Sequence, residues 1–110
     1  MRAGLQAITD RQFDRMVASS LVPVLVEFWK PGCGHCGALM TELERLREEM
    51  RSNLLIATMN VEENFQVFAE LEISSLPALA LYQNGEFIRF IGVLGTSEEL
   101  AKQIRIALSR

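Results

Sequence analysis

The sequence has few of the residues from which a cross-linked or metal-stabilised protein could be built. Its 110 residues include only two cysteines, Cys33 and Cys36, and one histidine, His35. Two cysteines separated by two residues cannot form the set of distant disulfides that stabilises a small secreted domain. A structural zinc site uses four ligands, and these three side chains cannot complete one, so we expect no bound metal. The spacing of the cysteines indicates redox chemistry instead.

The sequence also lacks an excess of positive charge and a long apolar run. Lys and Arg number 11 against 14 Asp and Glu, which gives a net charge of -3, so we expect no nucleic-acid partner. No apolar run approaches the roughly 20 residues that span a bilayer, and the segment from Met1 to Thr9 lacks the apolar stretch of a secretory signal. We therefore expect a cytoplasmic protein without membrane contacts, although a chain whose signal had been removed would look the same.

The length and composition predict one folded domain. The chain fits a single hydrophobic core, and 49% of its residues are hydrophobic, which is enough to fold without cross-links. No internal repeat, low-complexity tract or linker divides it. We therefore expect residues 1–110 to form one domain, and we expect a monomer as the default for a domain of this size.

The order of apolar runs and helical patterns predicts an α/β fold. The Asn84–Gly85 pair favours a tight turn that makes the last two strands antiparallel, whereas the earlier strands are separated by helices and are expected to be parallel. Capping-box pairs at Thr9–Gln12 and Thr96–Glu99 mark the starts of the first and last helices. A mixed sheet with helices on both faces follows, because the central strands have no polar side. Strands are predicted at residues 5–8, 22–29, 54–60, 78–82 and 87–91, and helices at 10–18, from near 33 to 50, at 63–71 and at 97–108.

The cysteine pair has the arrangement that a disulfide-exchange catalyst needs, one thiolate to attack and a second thiol to release the mixed disulfide. Cys33 lies at or near the start of a predicted helix, where unpaired N–H groups and the helix dipole lower a thiol pKa, so we expect it to be the nucleophile. Cys36 lies one turn further on and is expected to be more buried and to resolve the mixed disulfide. His35 adds a partial positive charge beside the thiolate, which stabilises the reduced form and makes the disulfide a stronger oxidant. The alternative, two unreactive core cysteines, fits poorly with the flanking glycines.

Several motifs extend over nearly the whole chain and together resemble the thioredoxin family. They are Val-Leu-Val-Glu-Phe-Trp-Lys-Pro-Gly-Cys-Gly-His-Cys at residues 24–36, then Leu76-Pro77, Asn84-Gly85 and Gly92. The Gly-His pair between the cysteines is similar to protein disulfide isomerase domains, because ordinary thioredoxins have Gly-Pro there. The resemblance implies the thioredoxin fold, exchange of disulfides with protein substrates, no bound cofactor and an upstream thioredoxin reductase.

The resemblance also implies a substrate-binding groove. Pro77 would be the cis-proline that faces the active disulfide, although Pro77 read from the sequence alone could be an ordinary trans residue. Trp29 matches an active-site tryptophan but could be a core residue, and Gly92 matches a glycine that lets substrate approach but could simply end a strand. The groove residues implied in this way are Trp29, Gly32, Gly34, Leu76, Pro77, Ala78 and Gly92.

Glu27 interrupts an apolar strand, where a buried carboxylate is costly unless it has partners or a proton-transfer role. It matches the family's buried acid, usually Asp, which exchanges a proton with the resolving cysteine. We therefore expect Glu27 to be the general acid/base for Cys36. The alternative is that Glu27 lies at a bend and reaches solvent.

Four positions depart from the family pattern and leave the choice of partner open. Gly32 stands where the family has a second tryptophan, and Thr41 replaces a helix-kinking proline. Thr58 replaces the lysine beside the buried acid, and Gly37 replaces a basic residue after the second cysteine. The direction of exchange also stays open, because a cytosolic location favours reduction whereas His35 favours oxidation or isomerisation. A protein of another class, a binding module or chaperone subunit with incidental cysteines, is the competing hypothesis.

Overall fold

A five-stranded sheet forms the centre of the structure, a computed structural model that describes residues 5–109. The strands alternate with helices until the last two strands, which form a hairpin, as the sequence predicted. The strands are β1 (Gln6–Ala7), β2 (Val24–Trp29), β3 (Leu55–Asn60), β4 (Ala78–Gln83) and β5 (Glu86–Ile91). The helices are α1 (Asp10–Ser19), α2 (Cys36–Met50), α3 (Gln66–Glu70) and α4 (Ser97–Leu108), and a short 3₁₀ turn (Arg51–Asn53) follows α2.

The sheet is mixed, in the order β1-β3-β2-β4-β5. β3 pairs in parallel with both β1 and β2, whereas β4 is antiparallel to β2 and β5. The β4–β5 turn has φ of 55° at Asn84 and 80° at Gly85, and positive φ at both positions is what a type I′ turn requires. The predicted mixed sheet and hairpin are therefore confirmed.

Each face of the sheet is covered by two helices, and alternate residues of the central strands divide between two apolar clusters. In β2, Leu25 packs with α2 and α4 on one face, and its neighbours Val24 and Val26 pack with α1 and α3 on the other. These three side chains are almost fully buried. The sequence of a strand that is buried on both faces is a continuous apolar run. This run is the feature from which β2 was predicted.

Both predicted capping boxes are present at the starts of α1 and α4. The Thr9 N–H donates to Gln12 Oε1 at 3.0 Å, and the Thr96 N–H donates to Glu99 Oε1 at 2.8 Å. The sequence did not predict that Asp10 in α1 also caps α3, where its carboxylate accepts from Gln66 and Val67 N–H groups at 3.1 Å each. This contact joins the two helices that cover one face of the sheet.

The short helix predicted at residues 63–71 is shorter in the structure, where it covers only Gln66–Glu70. The Asn60 side chain accepts from the Glu62 N–H at 3.0 Å, and the Asn60 carbonyl accepts from Asn64 at 2.9 Å. These bonds hold residues 60–64 in a turn that is not part of the helix. An Asn side chain favours such a turn because it can bond to nearby backbone groups that a helix would otherwise use. Among residues 5–109, none of the helices is long and apolar enough to cross a membrane.

The phenol of Tyr82 is buried in the aromatic part of the core, with Phe13 and Phe87 in edge contact at centroid distances of 5.2 and 5.6 Å. Burial, and then the negative charges of Asp14 and Glu70, raise the pKa of Tyr82 to about 12 from an ordinary 10.0. The folded protein therefore keeps a proton that the unfolded chain loses above pH 10, so stability falls as pH rises through this interval.

We expect the free energy of unfolding to fall by about 2 kcal/mol between pH 10 and pH 12 because of this one group. Denaturant titrations across this range measure the loss, which a Tyr82→Phe variant should lack. Tyr82 is the only tyrosine, so phenolate absorbance follows its ionisation directly. Ionisation of the folded protein at an ordinary tyrosine pKa would contradict the prediction.

Candidate functional site

A tight turn follows the end of β2 and leads to Cys33. The Cys33 N–H donates to the Lys30 carbonyl at 3.3 Å, with Pro31 and Gly32 at the two central positions. Gly32 has φ of 82°, the positive value that a type II turn requires at its third residue. A Cβ at Gly32 would meet no heavy atom within 4 Å, so glycine is favoured there by backbone conformation rather than by space. This geometry gives a physical reason for glycine where the family has tryptophan.

Cys33 and Cys36 are joined by a disulfide, with their Cα atoms 5.4 Å apart. Cys36 is the first residue of α2 and is buried, with 3% of its surface exposed, whereas Cys33 lies just before the helix and is partly exposed. The expectation that Cys36 is the more buried cysteine is confirmed. The Cys36 N–H donates to the Cys33 carbonyl at 3.3 Å, which closes the turn between the two sulfurs. A substrate disulfide, or a thiol that attacks the Cys33–Cys36 disulfide, therefore reaches Cys33 first.

A cavity of about 330 Å³ opens beside the disulfide. Gly34 and Leu76, two residues of the implied groove, line it, and His35 is exposed at its edge. The other lining residues are Lys30, Cys33, Phe68, Ser74 and Ser75. Phe68, which lies within the helix predicted at residues 63–71, and the two serines were not among the predicted site residues. The position of the Ser74–Ser75 pair in the loop immediately before Leu76–Pro77 was the available signal, because binding residues are disproportionately found on loops.

The Leu76–Pro77 peptide bond is cis, so the expected cis-proline is confirmed. Pro77 lines two further cavities, one of about 400 Å³ with His35 and Leu76, and one of about 290 Å³ with Ala78 and Gly92. Five of the implied groove residues therefore line these three cavities, the first of which contains Cys33. They are Gly34, Leu76, Pro77, Ala78 and Gly92.

The last strand leads into a loop that contributes to the same surface. The Gly92 N–H donates to Gln103 Oε1 of α4 at 2.8 Å, and a Cβ at Gly92 would lie 3.3 Å from that oxygen. Val93 and the highly exposed Leu94 follow and line the 400 Å³ cavity, although neither was among the predicted site residues. Their apolar side chains in a short loop were the signal that could have found them.

Trp29 and Gly32 lie apart from these three cavities. Trp29 is half-buried at the end of β2 and lines a separate cavity of about 490 Å³ with Met40, Thr58 and Asn60. Gly32 is exposed in the turn before Cys33. Both lie next to the active-site turn in the chain, but the structure places neither in the groove beside Pro77.

Glu27 is completely buried in β2, so the alternative that it reaches solvent is wrong. The alternation of side chains puts Glu27 on the same face as Leu25, which is the face that α2 covers. Its register neighbours are Thr58 in β3 and Leu79 in β4. Thr58 is also buried, with 2% of its surface exposed. A hydroxyl therefore occupies the register position beside the acid where the family has an ammonium group.

A redox-active disulfide at the start of a helix, with one sulfur accessible and a cis-proline groove beside it, defines a thiol–disulfide oxidoreductase. Such a site can accept two electrons as its disulfide opens and donate them as it closes. Among the described residues, 5–109, no three or more His, Cys, Asp or Glu side chains are grouped so as to hold a metal ion.

The chain belongs to the thioredoxin family, because the family model described as Thioredoxin matches residues 4–106. The chain is 35% identical over 79 residues to a thioredoxin of Rickettsia felis, covering 72% of this chain and 75% of that protein. It is 35% identical over 81 residues to a thioredoxin of Haemophilus influenzae, covering 74% and 76%. It is also 36% identical over 89 residues to a bifunctional thioredoxin reductase/thioredoxin of Mycobacterium leprae, covering 80% of this chain but 19% of that protein.

The chain therefore exchanges disulfides with protein substrates, as its fold, its family and its Cys33–Cys36 disulfide indicate together. The competing hypothesis of a binding module with incidental cysteines is not favoured, because a binding module has no need of a disulfide with one accessible cysteine. The thioredoxin fold, a mixed sheet with helices on both faces, is confirmed.

Proposed function

We propose that reduced Cys33 attacks a protein disulfide and Cys36 completes the exchange. The Cys33 thiolate forms a bond to one substrate sulfur and releases the other as a thiolate. Cys36 then attacks the Cys33 sulfur, which forms the Cys33–Cys36 disulfide and releases the second substrate thiol, so that two electrons pass to the substrate. The observation that carries this assignment is the contrast between an accessible Cys33 and a buried Cys36.

Glu27 is proposed as the general acid/base for Cys36. Its complete burial in β2, on the face that α2 covers, supports this role because Cys36 begins α2. A carboxylate held away from bulk water can accept the Cys36 proton when that thiol attacks, and the resulting carboxylic acid can return it when the disulfide is reduced. Trp29 and Gly32 are proposed to act at the rim of the active-site turn, and the five groove residues beside Pro77 are proposed to contact the substrate backbone.

An upstream thioredoxin reductase is proposed as the source of electrons. The Mycobacterium leprae relative is a bifunctional thioredoxin reductase/thioredoxin, which supports this pairing of activities. We further propose that residues 1–110 act as one monomeric domain in the cytoplasm. A reduced cytoplasmic thiol pool would keep Cys33 and Cys36 ready to reduce substrates.

Reduction of insulin by dithiothreitol tests the proposed function. We expect the protein to accelerate the precipitation of reduced insulin chains, and a Cys33→Ser variant to have no effect above the rate with dithiothreitol alone. A Ser109→Ala variant changes a residue outside the site and serves as the matched control. Equal acceleration by the protein and by its Cys33→Ser variant would exclude Cys33 as the nucleophile.

The direction of exchange depends on the reduction potential, which we expect His35 to raise. Partial positive charge from an imidazole beside Cys33 would stabilise its thiolate and so favour the reduced form, and the potential should then lie between about -270 mV for thioredoxin and about -180 mV for disulfide isomerase. A His35→Pro variant should have a more negative potential, by about 30 mV or more, which is a tenfold change in the equilibrium constant. Equilibration with glutathione measures the reduction potentials of the wild-type protein and of the variant. A wild-type potential near that of thioredoxin would contradict this expectation.

A further inference from the structure

Two exposed phenylalanines form an aromatic strip on the edge strand of the sheet. Phe87 and Phe90 in β5 are 41% and 46% exposed, and their ring centroids lie 5.0 Å apart in an edge contact. A β-bulge accounts for this pairing, because the β4–β5 register shifts between Leu81 and Tyr82. Residues three apart normally point to opposite faces of a strand, and the extra residue brings both rings to one face.

The aromatic strip lies on the face of β5 opposite the face that packs with α2 and α4. Ile88 and Ile91 pack with the α2 and α4 cluster on the opposite face. Phe87 instead contacts Tyr82, which belongs to the cluster beneath α1 and α3. Two aromatic rings left in contact with water on an otherwise packed sheet indicate an interaction surface. The bulge disfavours direct strand pairing with a second copy along this edge, so recognition by side chains is favoured.

The aromatic strip is continuous with the groove beside the disulfide. Phe90 lines the 290 Å³ cavity together with Pro77, Ala78 and Gly92. That cavity shares Ser74 and Ser75 with the cavity that contains Cys33. A polypeptide whose sulfur is bonded to Cys33 can therefore continue past Pro77 and reach Phe90 without leaving the protein surface.

Acidic side chains lie near the aromatic strip, and the one cation within β5 is the exposed Arg89. Glu72 lines the same cavity as Phe90, and it adopts a φ of 56°, which is unfavourable for a residue other than glycine. The charges that act on the buried Tyr82 phenol beneath Phe87 are those of Asp14 and Glu70, and both side chains are exposed. A partner segment that combines apolar and basic side chains would therefore complement the exposed rings and the acidic side chains of this surface.

We infer that the aromatic strip binds the segment of a substrate protein that flanks its exchanged cysteine, and that it favours apolar residues together with Lys or Arg. This inference rests on the proposed function and extends it to substrate choice. Apolar side chains of the segment cover Phe87 and Phe90, and its cation lies near Glu72. Disulfides within apolar, basic segments are then reduced in preference to disulfides within acidic or Gly/Ser segments.

Peptide disulfides test this inference through the rate at which each oxidises the reduced protein. Three peptides carry the same cysteine, bonded to glutathione, and differ only in the flanking segment: Leu/Phe with Lys, Leu/Phe with Glu, and Gly/Ser. Each is made with the segment before or after the cysteine. We expect the apolar, basic peptide to react about tenfold faster than the Gly/Ser peptide, in the orientation that reaches the aromatic strip. Added salt should reduce its advantage over the Glu peptide.

Variants then assign this preference to the aromatic strip. In the Phe87→Thr/Phe90→Thr variant the preference over Gly/Ser should fall to about twofold or less. An Ile106→Gln variant, which changes an exposed apolar residue of α4, should keep the full preference. A Glu72→Gln variant should lose selectivity for Lys over Glu, and it keeps the inference testable if the double variant does not fold.

The possible outcomes separate this inference from the proposed function. Equal rates for all peptides with wild-type protein would overturn the inference and leave the proposed function standing. Failure of every peptide to oxidise the protein would overturn the proposed function itself. A dimer in sedimentation equilibrium that is lost in the Phe87→Thr/Phe90→Thr variant would assign the aromatic strip to a second copy and would also overturn the inference.

Discussion

A Cys36→Ser variant will remain covalently bonded to its protein substrates through Cys33. In the wild-type protein, Cys36 attacks the mixed disulfide from the adjacent turn, and the Cα atoms of the two cysteines are 5.4 Å apart. An intramolecular group held in this way has an effective concentration far above that of any free thiol. Without it, we expect release of the substrate to slow by at least about a thousandfold.

Non-reducing electrophoresis and mass spectrometry of a cell extract measure this trapping. Adducts should form with Cys36→Ser, disappear on addition of dithiothreitol, and be absent from a Cys33→Ser/Cys36→Ser variant. Cys33→Ser alone should also fail to form them, because Cys36 is buried and cannot reach a substrate disulfide. Adducts bonded to Cys36 in the Cys33→Ser variant would reverse the assigned roles of the two cysteines.

A Glu27→Gln variant should complete the exchange about a hundredfold more slowly, because a positioned general base typically contributes at least this factor. The slow step should be the attack of Cys36 on the mixed disulfide, since this is the thiol whose proton Glu27 is proposed to accept. Stopped-flow measurements with a peptide disulfide separate the attack of Cys36 from the first attack by Cys33. Glutamine keeps nearly the size of the glutamate side chain, so loss of packing contributes little.

Two further variants distinguish proton transfer from structural support at residue 27. Glu27→Asp retains a carboxyl group and should recover most of the rate of Cys36 attack. Glu49→Gln changes an exposed carboxylate on α2 and should alter neither step. If Glu27→Gln and Glu27→Asp slowed the reaction equally, or if the first attack slowed as much as the second, the proton-transfer role of Glu27 would be disproved.

The prediction of the fold succeeded where local pattern and tertiary packing agree. The apolar run of β2 and the periodic apolar face of α2 are both buried, as the sequence indicated. The sequence placed the start of β2 two residues early, because Val22 and Pro23 are apolar but lie outside the ladder. The contact by which Asp10 caps α3 was missed, because the residues it joins lie 56 and 57 positions apart in the chain.

The prediction of the site succeeded for residues that lie close together in one sequence motif. It failed for residues that only the fold brings together. Cys33 and Cys36 are adjacent in a turn, so their bond and their unequal burial could be expected from a helix that begins between them. Phe68 lines the cavity with Cys33 but comes from α3, and no local pattern separates its groove-facing position from a core position. Phe87 and Phe90 share a face only because of the bulge in β5, which the alternation of the sequence does not reveal.

The sequence by itself determined the chemistry of this protein, because the spacing of the cysteines and the glycine turn before them are local properties of a short segment. It also determined the order of strands and helices, since hydrophobic periodicity follows from local geometry. Only the tertiary structure decided that Glu27 is fully buried beside Thr58, and that a groove runs from Cys33 past Pro77 to Phe90. Strand register and the packing of distant loops decide these features, and they depend on contacts between residues far apart in the chain.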